Sequence, residues 1–303
     1  VVSYYAGLGH AFALACRRQG ILCIDLQHCP HGGICRGYQW QKIPPRGYST
    51  VPGLFWTWSE AEAADIRSWS DSFGQPWHQV IVGGHTQIAA MAEGESDRIW
   101  ESAVAATGDP RKYEREILVT LQPIGGKRGL WDELSEEIHS SPDSWRWWIR
   151  RHPASTGEQD REFSKLLASC RTAVISGESC QVPLPALLAH MDAQVSLASG
   201  AACEAAMFGV PAFFLDQEAR DTFPQLLSRG EAELVDVGTL VAAIARASPR
   251  IGVQSADILD LECTLDKVDR LALDYRRLCA EPADDELDCS VRVMGQSQLP
   301  SAC

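Results

Sequence analysis

The sequence is poor in basic residues. Its 303 residues include 27 lysines and arginines against 40 aspartates and glutamates, a formal net charge of −13. Proteins that bind nucleic acid or acidic membranes as their main task use a surplus of Lys and Arg to contact phosphates. We therefore expect no nucleic-acid partner, although a local basic pocket is compatible with this composition.

Long apolar runs are also lacking. No stretch of about 18 uninterrupted apolar residues occurs, and the N-terminus lacks the basic, apolar and small-residue order of a signal peptide. We therefore expect a cytoplasmic protein, with peripheral association at the inner face of the membrane as an open possibility. The chain opens on Val1 with an apolar stretch, which leaves open whether N-terminal residues are missing.

The cysteines lack the spacing of a structural zinc site. Their number, 11, is odd, and they are spread from Cys16 to Cys303, which favours reduced thiols over a disulfide framework. The one cluster consists of Cys23, Cys29 and Cys35, separated by five residues each, unlike the Cys-x-x-Cys pair of zinc knuckles. We expect neither a metal nor a cofactor.

What the sequence does have is a βαβ rhythm. From Ile117 onward, short apolar runs alternate with amphipathic stretches, and turn residues separate them. Six strands that are each followed by a helix predict a parallel sheet covered on both faces, because parallel strands need crossover connections. The predicted strands are 117–122, 147–151, 173–176, 193–198, 211–215 and 233–237. The predicted helices include 158–170 and 220–229 between these strands, and 86–106 before them.

The first part of the chain shows the same rhythm with fewer strands, at 21–27, 54–58 and 79–82. A polar stretch with Gly and Pro at 107–116 separates the two parts. We predict an α/β protein with two doubly wound, Rossmann-like domains that face a cleft, the first of them small or incomplete. The predicted units are domain 1–113, domain 114–250, a C-terminal helix at 251–280 and an acidic, irregular tail at 281–303.

Three strand ends of the second domain carry residues suited to a ligand. In open parallel sheets, ligands lie beyond the carboxyl ends of the strands, near the topological switch point. Gly125 and Gly126 follow the first strand and would let the backbone approach a ligand. The second strand carries Arg150 near its end, and His152 projects at its rim just before a proline.

The third strand end has small residues that open a helix. Ser196 lies in the strand, and Ser199 and Gly200 precede a helix whose free amides and dipole would stabilise an anion. Glu204 lies about one turn into that helix, where a carboxylate can accept hydrogen bonds from a ribose diol. Alone, each residue could equally be a cap or a rim residue; their positions on successive strand ends carry the prediction.

These residues also carry a resemblance. The pattern Arg-x-His-Pro after a strand, then His-x-Asp-x-x-x-Ser-x-x-Ser-Gly-x-x-x-Glu-Ala-x-x-x-Gly-Val-Pro, resembles the nucleotide-binding half of GT-B glycosyltransferases. It is most similar to bacterial surface and capsular polysaccharide enzymes, and it is related in pattern to CDP-glycerol glycerophosphotransferases and CMP-sugar transferases. The matching residues run from Arg150 to Pro211. The first domain matches more weakly, and its sequence Gln27-His28-Cys-Pro-His31 leaves open which histidine is the counterpart of the family's.

The resemblance implies a glycosyltransferase whose co-substrate is a nucleotide-sugar. The donor would lie on the second domain, with its phosphates at Ser199-Gly200 and near His152, and its ribose on Glu204. The remaining implied donor-side residues are Gly125, Gly126, Arg150 and Ser196.

On the other side of the cleft, a glycan or lipid-linked acceptor would enter from the first domain, where His31 and Trp58 lie. His28 would deprotonate the acceptor hydroxyl or orient it. His152 would share the phosphate charge in the transition state.

Two other functions remain open. A nonhydrolysing sugar-nucleotide epimerase shares this architecture, but the run of glycines and serines expected before its glutamate is absent. A catalytically inactive GT-B-like subunit that binds nucleotide or a partner chain is favoured by the altered Gln-His-Cys-Pro-His motif and the short first domain.

Overall fold

The computed structural model describes residues 8–28, 36–71, 76–91, 95–107, 113–122, 128–152, 165, 167–168, 170, 172–175, 181–248 and 261–281. These residues form two separate sheets, and every strand pair in them is parallel. The predicted α/β class is therefore confirmed. The residues that follow the strands of the first sheet, and one helix that follows a strand of the second sheet, form the site described below.

The first sheet has the order β1-β2-β3, with β1 at Ile24–Leu26, β2 at Leu54–Thr57 and β3 at Gln79–Val82. All four residues of the central strand β2 are buried, as is usual for a parallel strand that is covered on both faces. The helices of this part are α1 (Gly9–Arg18), α2 (Glu60–Ser70), α3 (Thr86–Met91) and α4 (Glu95–Ala106), and Arg36–Tyr38 forms a 3₁₀ helix. A single helix was predicted over 86–106, where the structure has α3 and α4.

The start of α2 shows how the sequence fixes a helix end next to the site. Ser59 caps the helix by accepting a hydrogen bond from the backbone N–H of Ala61 at 3.2 Å. Glu60 and Glu62 lie in the first turn, where their negative charges interact favourably with the positive end of the helix dipole. Behind this helix, Phe55, Ile66 and other buried side chains make the core of the first sheet.

The second sheet has the order β6-β5-β4-β7-β8-β9. The chain builds outward from β4 to β6 and then returns to the other side of β4 with β7, so the switch point lies between β4 and β7. This is the doubly wound sheet that was predicted. Its strands are Arg115–Thr120, Trp145–Arg150, Ala173–Ile175, Ala193–Ser196, Ala212–Phe214 and Ala232–Leu234, for β4 to β9 in chain order.

The described part of the chain from residue 128 onward contains seven further helices. They are α5 (Arg128–Ser140), α6 (Leu184–Leu188), α7 (Ala201–Met207), α8 (Ala219–Thr222), α9 (Pro224–Ser228), α10 (Leu240–Arg246) and α11 (Leu261–Ala280), with a 3₁₀ helix at Val237–Thr239. The helix predicted at 220–229 is two short helices, because Pro224 cannot continue α8 and instead begins α9. The helix predicted at 158–170 falls largely outside the described residues.

The two faces of the second sheet bury different partners. Ile117 and Val119 point to one face, where α5 and α10 pack, and Leu118 points to the other. On that other face, Leu118 shares a core with Ile88 of α3 and Ala103 of α4. The helices that follow the first sheet thus pack on the second one. The domain boundary expected between residues 113 and 114 stays a prediction.

The last helix, α11, packs on the first sheet's side of the molecule. Tyr275 is buried and its ring meets that of Trp77 edge-on, with 6.0 Å between centroids. Gly53 allows this approach, since a Cβ there would lie 2.6 Å from the Tyr275 ring. Among the helices that the structure describes, none combines the length and the apolar content that a membrane crossing requires. The predicted tail lies outside the described residues from 282 onward.

Candidate functional site

A cavity of about 210 Å³ lies at the carboxyl ends of β1, β2 and β3, where these face α7. Residues that belong to or follow the three strands of the first sheet form most of its wall, and Glu204 of α7 completes it. The lining residues are Leu26, Gln27, His28, Trp56, Trp58, Gly84, His85, Thr86, Gln87 and Glu204. The cavity is therefore shared between the two sheets.

Gln27 fixes the first wall of the cavity. It is buried directly after β1, and its Oε1 accepts a hydrogen bond of 2.7 Å from the backbone N–H of Trp58, which follows β2. This bond ties the ends of two neighbouring strands together. The Nε2 of Gln27 is buried as well and has no hydrogen-bond partner in the part of the chain that the structure describes. A buried amide donor without a partner costs free energy, which a bound ligand could recover.

The turn after β3 is held by Trp56. Its indole Nε1 donates to the carbonyl of Gly84 at 2.9 Å. Gly83 lies against the same ring so closely that a Cβ there would fall 1.9 Å from a ring atom. Gly84 has a φ of 68°, in the left-handed region that favours glycine. The two glycines together place His85 at the cavity.

His85 is held by the turn that follows it. Its Nδ1 accepts a hydrogen bond from the backbone N–H of Ile88 at 3.3 Å. Burial lowers the pKa of His85 to about 4, and the ring is therefore neutral at pH 7. The indole of Trp58 packs on the imidazole, with 4.6 Å between ring centroids.

Glu204 faces His85 across the cavity. The Nε2 of His85 and the Oε2 of Glu204 are 3.6 Å apart, and their side chains are only 10% and 15% exposed. Burial raises the pKa of Glu204 to about 7, and the charge of Arg150 works in the opposite direction. At neutral pH, the neutral imidazole of His85 thus lies beside a carboxyl group that can gain or lose a proton.

The structure brings three of the predicted site residues into this one cavity: His28, Trp58 and Glu204. His28 is exposed at the end of β1. Trp58 is buried and lies against His85, so its position supports the histidine more than it offers a face to a sugar. His31 lies outside the described residues.

The other predicted residues that the structure describes do not line the cavity. Arg150 ends β5 and donates to the carbonyl of Val182, and its charge acts on Glu204. His152 is exposed just beyond β5. Gly125 and Gly126 lie outside the described residues.

The serines at the end of β7 accept hydrogen bonds from backbone N–H groups of their own loop. Ser196 is buried, and its Oγ accepts from the backbone N–H of Ser199 at 3.4 Å. The Oγ of Ser199 accepts from the N–H of Ala201 at 3.3 Å, and Gly200 precedes α7 as its N-cap. These hydroxyls shape the turn that aims α7, and with it Glu204, at the first sheet.

Two residues of the sequence pattern have structural contacts. Asp192 accepts from the backbone N–H of Glu116 at 2.8 Å and donates its own N–H to the carbonyl of Glu116 at 2.7 Å, which joins the start of β7 to β4. His190 stacks on Trp100 of α4, with 4.8 Å between centroids and 7° between planes. Part of the pattern therefore builds the scaffold that holds the site.

The sequence analysis missed His85, and it gave Gln27 no role beyond its place in the Gln-His motif. A signal existed, because His85 follows a strand and a Gly-Gly pair, which is the same arrangement that pointed to the strand ends of the second domain. Applying that rule to the first domain would have found it. The contact between His85 and Glu204 joins residues 119 positions apart, and no local pattern predicts it.

Comparison with known structures supports the architecture. UDP-GlcNAc 2-epimerase from Methanocaldococcus jannaschii, in complex with UDP-GlcNAc and UDP, aligns with a TM-score of 0.52 and 16% identity over 74% of this chain and 62% of the epimerase chain. A second structure of that epimerase gives 0.50 and 14% identity over 74% and 63%. The chain has a GT-B fold. It spans less than two thirds of the length of these structures.

The alignment with the wall teichoic acid polymerase TagF gives a lower TM-score, 0.45. The identity is 10%, over 75% of this chain and 54% of the TagF chain. Compared with protein families and with curated proteins, the sequence matches none.

Proposed function

We propose that this chain is a glycosyltransferase that moves a sugar from a nucleotide-activated donor to a glycan or lipid-linked acceptor in surface polysaccharide synthesis. The observation that carries the proposal is the cavity shared by the two sheets. It brings together His28, Trp58 and Glu204, three residues chosen from the sequence for this chemistry. A site between the carboxyl ends of two parallel sheets suits a reaction between two substrates.

The side chains around the cavity suit a sugar better than a phosphate. Among the described lining residues there is no Lys or Arg, whereas amide, hydroxyl, imidazole and carboxyl groups are frequent. Such groups exchange hydrogen bonds with sugar hydroxyls. The phosphates of a donor would lie outside the cavity, toward Arg150 and His152 and, as the resemblance implies, Ser199, Gly200, Gly125 and Gly126.

His28 is the proposed contact to the acceptor. It directly follows β1 and lines the cavity from the exposed side, where an acceptor hydroxyl could reach it. His31 and Trp58 would complete the acceptor side. A lipid-linked acceptor would bring the protein to the inner face of the membrane.

A sugar-nucleotide epimerase is the second candidate. The two epimerase structures described above align with TM-scores of 0.50 and 0.52, and the cavity would accommodate the sugar of a nucleotide-sugar without an acceptor. The two functions differ in their net products: a transferase joins the sugar to an acceptor and releases the nucleotide, whereas an epimerase yields a nucleotide-sugar of altered configuration.

One assay separates these functions. The full chain is incubated with UDP-, GDP-, CMP- and CDP-activated sugars, with and without acceptor glycans, and chromatography measures the released nucleotide and the identity of the sugar. Release that requires an acceptor supports the transferase, and an altered nucleotide-sugar without acceptor supports the epimerase. Binding without conversion indicates an inactive subunit. Failure of every nucleotide-sugar to bind contradicts the proposal.

A further inference from the structure

We infer that Gln27 is a specificity-determining residue of the cavity, whose side-chain N–H donates a hydrogen bond to an oxygen atom of the bound sugar. The inference rests on the proposed function and names the chemistry that recognises the sugar, which is a hydroxyl or an acyl carbonyl at one position of the ring. It stands on the place of Gln27 in the cavity wall, on the contacts that fix its amide and on a contrast with Gln122 of the second sheet.

Gln27 lies where the end of a strand meets the cavity. It directly follows β1 and lines the cavity, as do its neighbour His28 and Trp58, which follows β2. Its own backbone N–H donates to the carbonyl of Trp56 at 3.0 Å, which continues the pairing of β1 with β2. The backbone therefore holds Gln27 in place, and the side-chain amide is the polar group that this residue brings to the cavity wall.

One hydrogen bond decides how the amide of Gln27 is oriented. The backbone nitrogen of Trp58 lies 2.7 Å from Oε1 of Gln27. A backbone N–H can only donate, so the amide atom that faces it must be the oxygen. The other branch of the amide is then Nε2, which carries the N–H donors. The contact with Trp58 thus fixes on which side of the amide a donor is available.

The Nε2 of Gln27 is not used within the described part of the chain. Gln27 is 6% exposed, and its Nε2 is buried without a hydrogen-bond partner there. Among the described residues that line the cavity, no other has a buried side-chain nitrogen or oxygen in this condition. An unpaired buried N–H costs free energy and is rare in native proteins. A sugar oxygen that accepts from Nε2 removes this cost, whereas a ligand without such an oxygen leaves it in place.

Gln122 shows how a glutamine at a strand end can satisfy both atoms of its amide. It lies just beyond β4, and its Oε1 accepts from the backbone N–H of Ala198 at 2.9 Å while its Nε2 donates to the carbonyl of the same residue at 3.0 Å. These two bonds tie the end of β4 to that of its parallel neighbour β7. Gln27 joins the ends of β1 and β2 through its Oε1. Joining two strands therefore accounts for the oxygen of the Gln27 amide and not for its nitrogen.

The surroundings of the amide indicate what it binds. The described lining residues include no Lys or Arg, so no permanent positive charge is there to pair with a phosphate, and a neutral N–H suits an uncharged oxygen. Sugar hydroxyls and N-acyl carbonyls both supply such an oxygen. A ring position that carries only hydrogen, or an ammonium group, supplies none. Sites built around a hydrogen bond reject the ligand that lacks the partner atom more strongly than apolar pockets do.

The first test removes only the donor half of the amide. Gln27→Glu keeps an oxygen for the Trp58 N–H and loses the N–H groups. At pH 8, where glutamate is normally ionised, we expect kcat/KM for an active nucleotide-sugar to fall by roughly 10-fold or more. An unchanged kcat/KM would overturn the inference.

The matched control is Gln79→Glu. The amide of Gln79 donates to the carbonyl of Pro76 at 3.2 Å, and the residue begins β3, at the edge of the first sheet opposite the cavity. The change in charge and in hydrogen bonding is the same as in Gln27→Glu, and kcat/KM should stay at the wild-type value. A loss equal to that of Gln27→Glu would overturn the inference, because it would show that the substitution acts through the fold.

The second test changes the substrate together with the residue. The active nucleotide-sugar is compared with its monodeoxy analogues and, where it carries an N-acyl group, with the deacylated sugar. For the wild type, we expect one of these changes to lower kcat/KM by roughly 10-fold. In Gln27→Glu, or in Gln27→Met if the first variant does not fold, the same change should cost less than about 2-fold, since the contact is already lost. Equal losses in wild type and variant for every analogue would overturn the inference.

A binding experiment on the wild-type full chain separates this inference from the proposed function. The side-chain amide of Gln27 is followed by ¹H–¹⁵N NMR while three kinds of probe are added: UDP-, GDP-, CMP- and CDP-activated sugars, the same nucleotides without a sugar, and free methyl glycosides. We expect the Gln27 amide protons to shift with ligands that carry the sugar and not with the bare nucleotides.

The outcomes distinguish the two claims. If a nucleotide-sugar binds and the Gln27 amide does not shift, or shifts equally with the bare nucleotide, the inference fails and the proposed function is untouched. If free glycosides shift the amide and no nucleotide-sugar binds, the inference stands and the proposed function fails. Binding of neither class of ligand contradicts both.

Discussion

Hydrogen bonds to both ring nitrogens can fix the protonation state of a histidine, and His78 is an example outside the site. Its Nε2 accepts from the backbone N–H of Tyr48 at 2.9 Å, and its Nδ1 lies 2.8 Å from the carbonyl of Pro52. A second proton would place an N–H of the ring against the N–H of Tyr48. Together with burial, which lowers the pKa of His78 to about 4, this keeps the ring neutral.

A prediction about acid stability follows from His78. Between pH 6.5 and 4 the unfolded state binds a proton at this residue and the folded state does not, so stability falls as the pH falls through this window. Complete protonation of the unfolded histidine alone would cost roughly 3 kcal/mol. Urea unfolding at pH 7.5 and 4.5 should show a smaller difference for His78→Gln than for the wild type. The exposed His139→Gln is the control and should keep the wild-type difference; equal differences in all three proteins would contradict this account.

His85 and Glu204 act on stability with opposite signs. The lowered pKa of His85 adds to the acid loss that His78 causes, because its unfolded form also binds a proton below pH 6.5. The pKa of Glu204 is raised, so between about pH 4.5 and pH 7 the folded state binds a proton that the unfolded state does not. The stability that this proton gives to the folded state is lost as the pH rises toward and through 7.

The acceptor side yields a prediction for His28. Its place at the end of β1 should let it orient the acceptor, so His28→Ala should lower kcat by about 10-fold or more and leave donor affinity unchanged. His31→Ala should cost less. Steady-state kinetics with both substrates varied would check this, and a reversed order of the two variants would show that His31 is the counterpart of the family histidine.

At the scale of the element, the turn after β3 leaves no room for an added methyl group at Gly83. Gly83→Ala would place a Cβ 1.9 Å from the Trp56 ring, which forces the ring or the turn to move. We expect a loss of about 1–3 kcal/mol in the free energy of unfolding and a drop in turnover, because the same turn carries His85. Gly238→Ala is the matched control, since no atom lies within 4 Å of the added Cβ. Equal stability of the two variants in urea unfolding would contradict the proposed constraint.

The strands and helices could be predicted from the sequence better than their packing could. The apolar, β-branched runs identified the six strands of the second sheet, because both faces of a parallel strand are buried and its sequence shows it. The helix predicted at 220–229 was wrong in one respect, since Pro224 divides it into α8 and α9. The apolar faces of α3 and α4 could be recognised, but not the sheet they cover, since periodicity shows that a face is buried and not what buries it.

At the scale of the whole molecule, the packing of α3 and α4 on the second sheet predicts how the chain can be divided. A fragment of 114–248 would expose Leu118 and Trp148, which pack in one core with Ile88 and Ala103. We expect a fragment of 86–248 to be soluble and to unfold cooperatively in circular dichroism, and 114–248 to aggregate or to lack a thermal transition. Equal behaviour of the two fragments would contradict the assignment of these helices to the second core.

The sequence predicted only part of the site, because the residues of the site come together only in the assembled molecule. The strand-end rule of the fold class indicated Glu204, and the resemblance added His28 and Trp58. Their convergence with His85 depends on how the two sheets face each other, which is a property of the assembled chain and of no single segment.

The most direct test of the central claim is a crystal structure of the full chain with a bound nucleotide-sugar, chosen from the UDP, GDP, CMP and CDP series by binding. The account predicts the sugar in the cavity between His28, His85 and Glu204, with the nucleotide along the carboxyl edge of the second sheet. Density for the nucleotide-sugar at the opposite edge of that sheet, or away from both sheets, would contradict it.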